Sequence, residues 1–364
     1  MTLKIWQKSL FLIVLIILFM PFSGQACTTF FLDLDEMPVL GTNYDWQIGS
    51  GMIVINQRGV SKTGMQLAGG ERIAPPVWTS KYGSLTFNQY GRETPMGGIN
   101  EAGLVVHQMM LREGVYPKPD SRRPVKNLQW IQYQLDNCSN VEQVIKNDSN
   151  IRIQQKEVPG LHYLVADRSG NCASLEWIKG KLVIHKGNTM PFKVLANNTY
   201  EDSLRYLKRH QGFGGTMVLE EVGNTSLDRF ARAAKLVRDF PGQSKESVFD
   251  YAFDILRKVS DETTRWSIVY DMKNLLIHFK THANNQVRSI DFRRFDLSCQ
   301  GSVKVVDLDA GLSGDISDQF IDYTSKMNKR LIKQAFKSTS FSSHIPDEYI
   351  HQRSLYPETT TCSQ

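Results

Sequence analysis

Cys27 is the residue that most strongly suggests chemistry in this chain. It follows Gly24-Gln25-Ala26, which places small residues at the −3 and −1 positions of a signal-peptidase cut. Cutting there would leave Cys27 with a free α-amine beside its own thiol. Such a thiol can attack an amide carbonyl while the α-amine, whose ordinary pKa is about 8, takes the proton. The alternative is a small buried hydrophobic side chain at the start of a strand.

The first 26 residues have the three parts of a secretory signal peptide. A basic start with Lys4 and Lys8 precedes an apolar run over residues 10–20, and small residues follow. That run is about eleven residues long, whereas a spanning helix needs roughly 20, so we expect no membrane span. We predict that residues 1–26 are a signal peptide and that the mature protein is secreted or periplasmic. A lipoprotein anchored through Cys27 is the alternative, although Gly24 stands where the lipoprotein signal usually has Leu.

Four further cysteines remain in the mature chain: Cys138, Cys172, Cys299 and Cys362. In an oxidising compartment they could form two bridges, with three connectivities among which the sequence does not choose. Cys27 would then be the unpaired cysteine.

The composition is that of an ordinary globular protein, with 41% hydrophobic and 22% charged residues and a formal net charge of +6. This charge is small and scattered through mixed runs, which argues against a nucleic-acid partner. The HExxH, CxxC, GxSxG and phosphate-loop patterns are absent from the sequence. We therefore expect chemistry without a metal or a cofactor.

Alternating and β-branched stretches predict strands over most of the first two-thirds of the mature chain. The first pair is a hairpin of residues 28–32 and 39–41, joined by turn residues. The other predicted strands are 52–57, 84–87, 104–109, 162–167, 173–178, 182–185, 266–270, 275–279 and 287–290.

Helical periodicity separates the early strands from the late ones. The predicted helices are 127–147, broken at 137–139, then 201–210, 227–240 and 245–259, with 317–337 as one more. Ser226 and Ser244 are the N-cap candidates of the third and fourth of these. This order predicts a layered α+β domain without an internal linker. The Ser/Thr-rich residues 338–364 are predicted to be a loose C-terminal tail.

Six short motifs resemble those of the choloylglycine hydrolase and penicillin V acylase family, which are N-terminal-nucleophile hydrolases that cleave linear amides. They are ACTTFF at 26–31, GTNYDW at 41–46, INEAGL at 99–104, VLANN at 194–198, SLDRF at 226–230 and WSIVYD at 266–271. Each motif is weak alone, but together they follow the family order across about residues 27–295. The resemblance implies a four-layer αββα sandwich, which we place in a single domain over residues 27–337.

The resemblance also implies a role for each of four residues. Cys27 is the nucleophile, and its α-amine is the general base that later protonates the leaving amine. Asp45 resembles the family carboxylate that hydrogen-bonds this α-amine. Asn197 resembles the side-chain donor of the oxyanion hole, and Arg229 resembles the family arginine near the nucleophile.

Structural alternatives exist for the last three. Asp45 could cap a turn. Asn197 could cap the helix that begins near residue 201, and Asn198 is close enough to dispute the oxyanion role. An exposed arginine in a first helical turn would be unfavourable beside the positive helix end, which favours a paired, functional Arg229.

The chain departs from the family pattern at two positions. Thr42 stands where many members carry Arg, three residues before the aspartate, so one positive charge near the thiol is missing. Met110 falls where Asn or Tyr is common, and we expect it to line an apolar acyl-binding wall together with Met109. The identity of the substrate therefore does not carry over from the family.

These observations predict a hydrolase that cleaves a linear amide of a small N-acyl substrate through a thioester on Cys27. The alternatives are an acyltransferase that uses the same thioester and a non-catalytic lipoprotein anchored through Cys27. Tetramers are common in the family, so a homotetramer is an option, although no assembly segment is evident in the sequence.

Overall fold

The computed structural model describes residues 27–34, 37–66, 73–154, 160–220, 223, 225–241 and 245–363. The predicted signal peptide and the N-cap candidate Ser244 lie outside the described residues. Most of the described chain forms two large, mainly antiparallel sheets that face each other, with helices on their outer faces.

The strands position the site. They are β1 Thr28–Leu32, β2 Val39–Asp45, β3 Met52–Asn56, β4 Val60–Thr63, β5 Val77–Thr79, β6 Ser84–Asn88, β7 Pro95–Asn100, β8 Val105–Leu111, β9 Arg123–Val125, β10 Ile151–Ile153, β11 Gly160–Ala166, β12 Cys172–Ile178, β13 Lys181–Lys186, β14 Val194–Leu195, β15 Thr264–Asp271, β16 Leu276–Thr281, β17 Arg288–Asp291, β18 Lys304–Asp307, β19 Gly314–Asp315, β20 Ile321–Asp322 and β21 Thr361–Cys362.

The helices of the described chain are α1 Asn127–Asn137, α2 Val141–Lys146, α3 Tyr200–Leu207, α4 Ser226–Arg238, α5 Lys245–Lys258, α6 Ser325–Lys337 and α7 Asp347–Ser354. The break predicted at 137–139 is confirmed, because α1 ends at Asn137 and α2 begins at Val141.

Sheet one has the strand order β14-β1-β2-β15-β16-β17-β19, and sheet two has the order β13-β12-β11-β8-β7-β6-β3-β18-β20. The predicted opening hairpin is β1 and β2, whose antiparallel register runs from Thr28 opposite Asn43 to Leu32 opposite Val39. Strand β1 also pairs with β14 on its other edge, with Thr29 opposite Leu195. Two small sheets, β9–β10 and β21–β4–β5, complete the strand pairing described here.

The two faces of β2 show how the layers are stacked, because successive side chains of a strand point to opposite faces. The Asn43 side chain donates to the Leu256 carbonyl of α5, whereas the Tyr44 hydroxyl donates to Gln89, which follows β6. Sheet one therefore has helices on one face and sheet two on the other. Helices α1 and α2 pack on the outer face of sheet two around Trp177. This helix–sheet–sheet–helix order confirms the predicted αββα sandwich.

Two local predictions are wrong. The helix predicted over 317–337 begins only at Ser325, because residues 317–319 form a 3₁₀ turn and Thr324 accepts a hydrogen bond from the Met327 N–H as the N-cap. The predicted N-cap Ser226 is instead the first helical residue of α4. Thr225 is the N-cap, since it and Asp228 each accept a hydrogen bond from the other's backbone N–H.

The C-terminal residues are not a loose tail, which corrects the prediction for 338–364 as far as residue 363. They include α7 and β21, and β21 pairs with β4 through Thr361 opposite Ser61. Ile350 is buried in the main core, and Ser340 exchanges two hydrogen bonds with Gln47. A few buried apolar side chains and side-chain hydrogen bonds thus order a segment whose composition suggested no ordered structure.

A disulfide between Cys299 and Cys362 fastens this C-terminal segment to the chain that follows β17. Cys27, Cys138 and Cys172 are free and buried. The second bridge that the sequence allowed is therefore not formed. Cys138 and Cys172 pack in different hydrophobic clusters, on opposite sides of sheet two.

Within the ranges described here, the structure has no helix that is both long and apolar enough to cross a membrane.

We expect the double substitution Cys299→Ala and Cys362→Ala to lower the free energy of unfolding by about 3–4 kcal/mol, because the bridge closes a long loop of the unfolded chain. The measurement is urea unfolding of the oxidised mature protein. The control is dithiothreitol, which should lower the stability of the parent protein by a similar amount and leave the double variant unchanged. Equal stability of the parent with and without reductant would contradict the expectation.

Candidate active site

Cys27 lies directly before β1, at the open end of the β1–β2 hairpin, and its side chain is 5% exposed. The hairpin register brings it beside Asp45, the last residue of β2. The Asp45 backbone N–H donates to the Cys27 Sγ at 3.5 Å. Burial, with the Asp45 charge adding to it and the Arg229 charge opposing it, raises the pKa of the Cys27 thiol to about 12. The thiol is therefore neutral near pH 7 and needs a base before it can attack.

Asp45 is buried, and its carboxylate is only half satisfied. Oδ1 accepts a hydrogen bond from the Thr264 hydroxyl of β15 at 2.6 Å, whereas Oδ2 is buried without a partner among the described residues. Burial raises the pKa of Asp45 to about 7, while the Thr264 hydrogen bond and the Arg229 charge lower it. The turn-capping alternative does not hold, because the side-chain bond of Asp45 reaches the neighbouring strand and not its own turn.

Arg229 is fully buried on α4 and forms an ion pair with Asp261, which follows α5. Its Nε and Nη2 are buried without hydrogen-bond partners among the described residues. The charge of Arg229 lowers the pKa of both Cys27 and Asp45, so the three side chains share one electrostatic environment. Arg229 is therefore buried and paired, and it is not the exposed first-turn arginine that we considered from the sequence.

Asn197 follows β14, on the side of β1 opposite to β2. If the β1–β14 register is continued by two residues, Asn197 stands opposite Cys27. Its Nδ2 donates to the Met110 carbonyl at 2.7 Å, and its Oδ1 is buried without a partner in the described part of the chain. It does not cap the next helix, because Thr199 is the N-cap of α3.

Met110 and Thr42, the two departures from the family pattern, are also near this site. The main chain of Met110 contacts Asn197 through its carbonyl, and the neighbouring Met109 packs in the same buried cluster as Cys27. The hydroxyl of Thr42 lies 2.8 Å from that of Thr29 inside the β1–β2 hairpin. Thr42 is therefore satisfied locally and leaves no unpaired polar group where the family arginine would stand.

Two contributors were missed by sequence reasoning: Thr264, which bonds Asp45, and Asp261, which pairs with Arg229. Asp261 lies in the short polar stretch between α5 and β15, which by itself has the composition of a turn, and Thr264 is the first residue of β15. The one signal available in the sequence was the position of both residues, a few places before the WSIVYD motif at 266–271.

Comparisons with known proteins identify the family of the chain. The family model for linear amide C–N hydrolases of the choloylglycine hydrolase family matches residues 27–305. The chain belongs to this family. Over 322 residues it is 27% identical to a penicillin V acylase of Pectobacterium atrosepticum, a match that covers 76% of this chain and 83% of that protein.

Solved structures of related proteins give the same result. The penicillin V acylase of Agrobacterium tumefaciens is 28% identical, with a TM-score of 0.70, over 82% of this chain and 98% of that one. The conjugated bile acid hydrolase of Clostridium perfringens, at 20% identity and a TM-score of 0.62, shares the fold over 77% of this chain and 96% of its own. Membership of the choloylglycine hydrolase family makes this protein a hydrolase of linear amides with an N-terminal-nucleophile hydrolase fold.

We expect Asp261→Asn to lower the free energy of unfolding by about 3–5 kcal/mol, because it leaves the buried charge of Arg229 without its partner. Urea unfolding near pH 7 measures the loss. The matched control is Asp239→Asn, which breaks the exposed pairs with Lys235 and Arg238 on the same helix and should cost less than about 1 kcal/mol. Equal losses in the two variants would show that burial of Arg229 does not matter.

Proposed function

We propose that the mature protein hydrolyses the amide bond of a small N-acyl substrate through a thioester on Cys27, after a cut that follows Ala26. The observation that carries this proposal is the unpartnered Oδ2 of Asp45, a buried carboxylate oxygen beside the thiol. A buried acceptor without a donor is costly and needs an explanation. An α-ammonium group on Cys27 would supply the missing donor.

The proposed reaction begins with a proton transfer from the thiol to the α-amine of Cys27. The sulfur attacks the amide carbonyl carbon, and the carbonyl oxygen becomes an oxyanion. Asn197 stabilises it, because one N–H of its Nδ2 donates to Met110 and the other is available. The α-ammonium then gives its proton to the departing amine. A water molecule, deprotonated by the same α-amine, then attacks the thioester. The C–S bond breaks, the carboxylic acid leaves, and the α-ammonium returns its proton to the Cys27 thiolate.

Asp45 and Arg229 act on the charges of this cycle. The carboxylate of Asp45 orients the α-amine and favours the ammonium that forms during attack. The buried charge of Arg229 lowers the pKa of both Cys27 and Asp45, so it favours thiolate and carboxylate alike. It is the positive charge next to the thiol in a chain that has Thr42 in place of the family arginine.

The substrate class follows from the family and from the surroundings of the thiol. Related proteins are named for penicillin V and for conjugated bile acids, which are both small N-acyl amides. Tyr44 interacts electrostatically with Cys27, and Met96 and Met109 belong to the same large buried core. Flexible and aromatic side chains of this kind suit an apolar acyl group. Secretion or periplasmic export through residues 1–26 completes the proposal, since the cut creates the catalytic amine.

We expect the exported protein to begin at an unmodified Cys27 and Cys27→Ala to abolish amide hydrolysis. Intact mass and N-terminal sequencing check the first point, and turnover of penicillin V, N-acyl glycines and N-acyl homoserine lactones checks the second. The matched control is Cys172→Ala, which removes another buried free thiol. Activity in the Cys27→Ala variant, or a lipid on Cys27, would overturn the mechanism, and products with an added amine or alcohol would indicate acyl transfer.

A second expectation concerns pH. Thr264→Val removes the hydrogen bond that lowers the pKa of Asp45. The Asp45 pKa should therefore rise by roughly half a unit to one unit. Because Asp45 must be ionised to hold the ammonium, the acidic limb of the kcat/KM profile should move to higher pH by a similar amount.

The matched control for this shift is Thr263→Val, because the Thr263 hydroxyl donates to Asp261 and not to Asp45. It should leave the acidic limb where the parent protein has it. Identical profiles for the Thr264→Val variant and the parent would show that Asp45 does not control the limb.

A further inference from the structure

The peptide bond between Ala196 and Asn197 is held at both ends by side chains from other elements. The Ala196 carbonyl lies 2.6 Å from the Nε2 of His162 on β11. The Asn197 N–H donates to the hydroxyl oxygen of Ser226, the first residue of α4, at 2.7 Å. The carbonyl and the N–H of one peptide unit point in opposite directions, so these two contacts fix its plane.

His162 is itself fixed by a buried carboxylate. Its Nδ1 lies 2.9 Å from the Oε1 of Glu176 on β12, and both residues are buried. The two carboxylate oxygens of Glu176 also accept from the Tyr200 N–H, at 3.0 and 3.1 Å. A carbonyl oxygen and a carboxylate oxygen both accept, so we assign a proton to each ring nitrogen of His162. The ring is thus anchored by Glu176 and donates to Ala196.

The Ser226 hydroxyl is free for this contact because Thr225, and not Ser226, caps α4. Ser226 therefore connects the segment that carries Asn197 to the helix that carries Arg229. The same peptide is thus tied to sheet two through His162 and to the outer helix layer through Ser226.

We propose that His162 and Ser226 are positioning residues that aim the amide of Asn197 at the oxyanion, an inference that rests on the proposed role of Asn197. With its peptide plane fixed, Asn197 has few ways to point its side chain, and the Met110 carbonyl takes one of the two N–H groups. The second N–H then has a defined direction. A misplacement of about 1 Å at such a donor can cost roughly a hundredfold in rate, so the effect of losing one tie is measurable.

The first test compares two neighbouring substitutions at the start of α4. Ser226→Ala removes the acceptor of the Asn197 N–H, and we expect kcat to fall about tenfold with KM within twofold of the parent, as for an interaction that matters in the transition state. Thr225→Ala removes the N-cap and should lower the melting temperature without this loss of kcat. Equal kcat values for the two variants would overturn the role of Ser226.

The second test uses two amides of different reach at position 162. His162→Gln can place its Nε2 where the imidazole Nε2 stands and keep the bond to Ala196, whereas His162→Asn reaches only toward Glu176. We expect the Gln variant to keep kcat within about threefold and the Asn variant to lose about tenfold or more, within the range for one lost oxyanion contact. Similar losses in both would show a merely structural role, and if either fails to fold, the Ser226 and Thr225 pair decides.

A double-mutant cycle separates positioning from general damage. In an Asn197→Ala background, Ser226→Ala and His162→Asn should not lower the residual rate further, because the group that they aim is gone. Additive losses would contradict the proposal. All rates are measured on the fastest substrate of the panel above. No turnover on the panel, or activity in Cys27→Ala, refutes the proposed function, whereas inactive Cys27→Ala with unaffected Ser226 and His162 variants refutes this inference alone.

Discussion

The pairing of β1 on both of its edges is the constraint on which the site depends. Antiparallel hydrogen bonds fix the register of β1 against β2 and against β14, and a slip of one residue would turn every side chain to the wrong face. Both pairings end within two residues of Cys27, with Asp45 at the end of β2 on one side and Asn197 following β14 on the other. Backbone pairing thus brings two residues that are far from each other in the sequence close to Cys27.

Burial then determines the charges at this point of the fold. The site lies under a helix layer and against a second sheet, so a charge there loses most of its hydration. This raises the pKa of Cys27 and of Asp45, and it makes the Arg229–Asp261 pair important for both. Buried polar atoms without partners cost stability, and Asp45, Asn197 and Arg229 each keep at least one such atom among the described residues. At these three residues the cost is consistent with the chemistry proposed at Cys27.

The sequence predicted the layers and four candidate site residues, and its structural predictions were wrong where long-range contacts outweigh local composition. Alternation and turn residues were enough for β1 and β2, and the ordered motifs pointed to Cys27, Asp45, Asn197 and Arg229. Asp261 was missed because its partner lies on another helix, and nothing in a short polar stretch indicates this. The cap of α4 was misplaced by one residue because Ser and Thr are both favoured at the N-cap, Ser slightly more, and only the bond to Asp228 selects Thr225.

The prediction for the C-terminal segment was wrong for a related reason, and the position of this segment matters for the site. The family match ends at residue 305, so α6, α7 and β21 lie outside the matched region. Residues 340 and 341 of the C-terminal segment contact the loop that follows Asp45. Ser340 exchanges hydrogen bonds with Gln47, and Phe341 packs edge-on against Trp46. Trp46 directly follows Asp45 in the chain, so this segment contacts the residue next to the buried carboxylate. The disulfide at Cys362 therefore helps to hold in place a segment that contacts the two residues after Asp45.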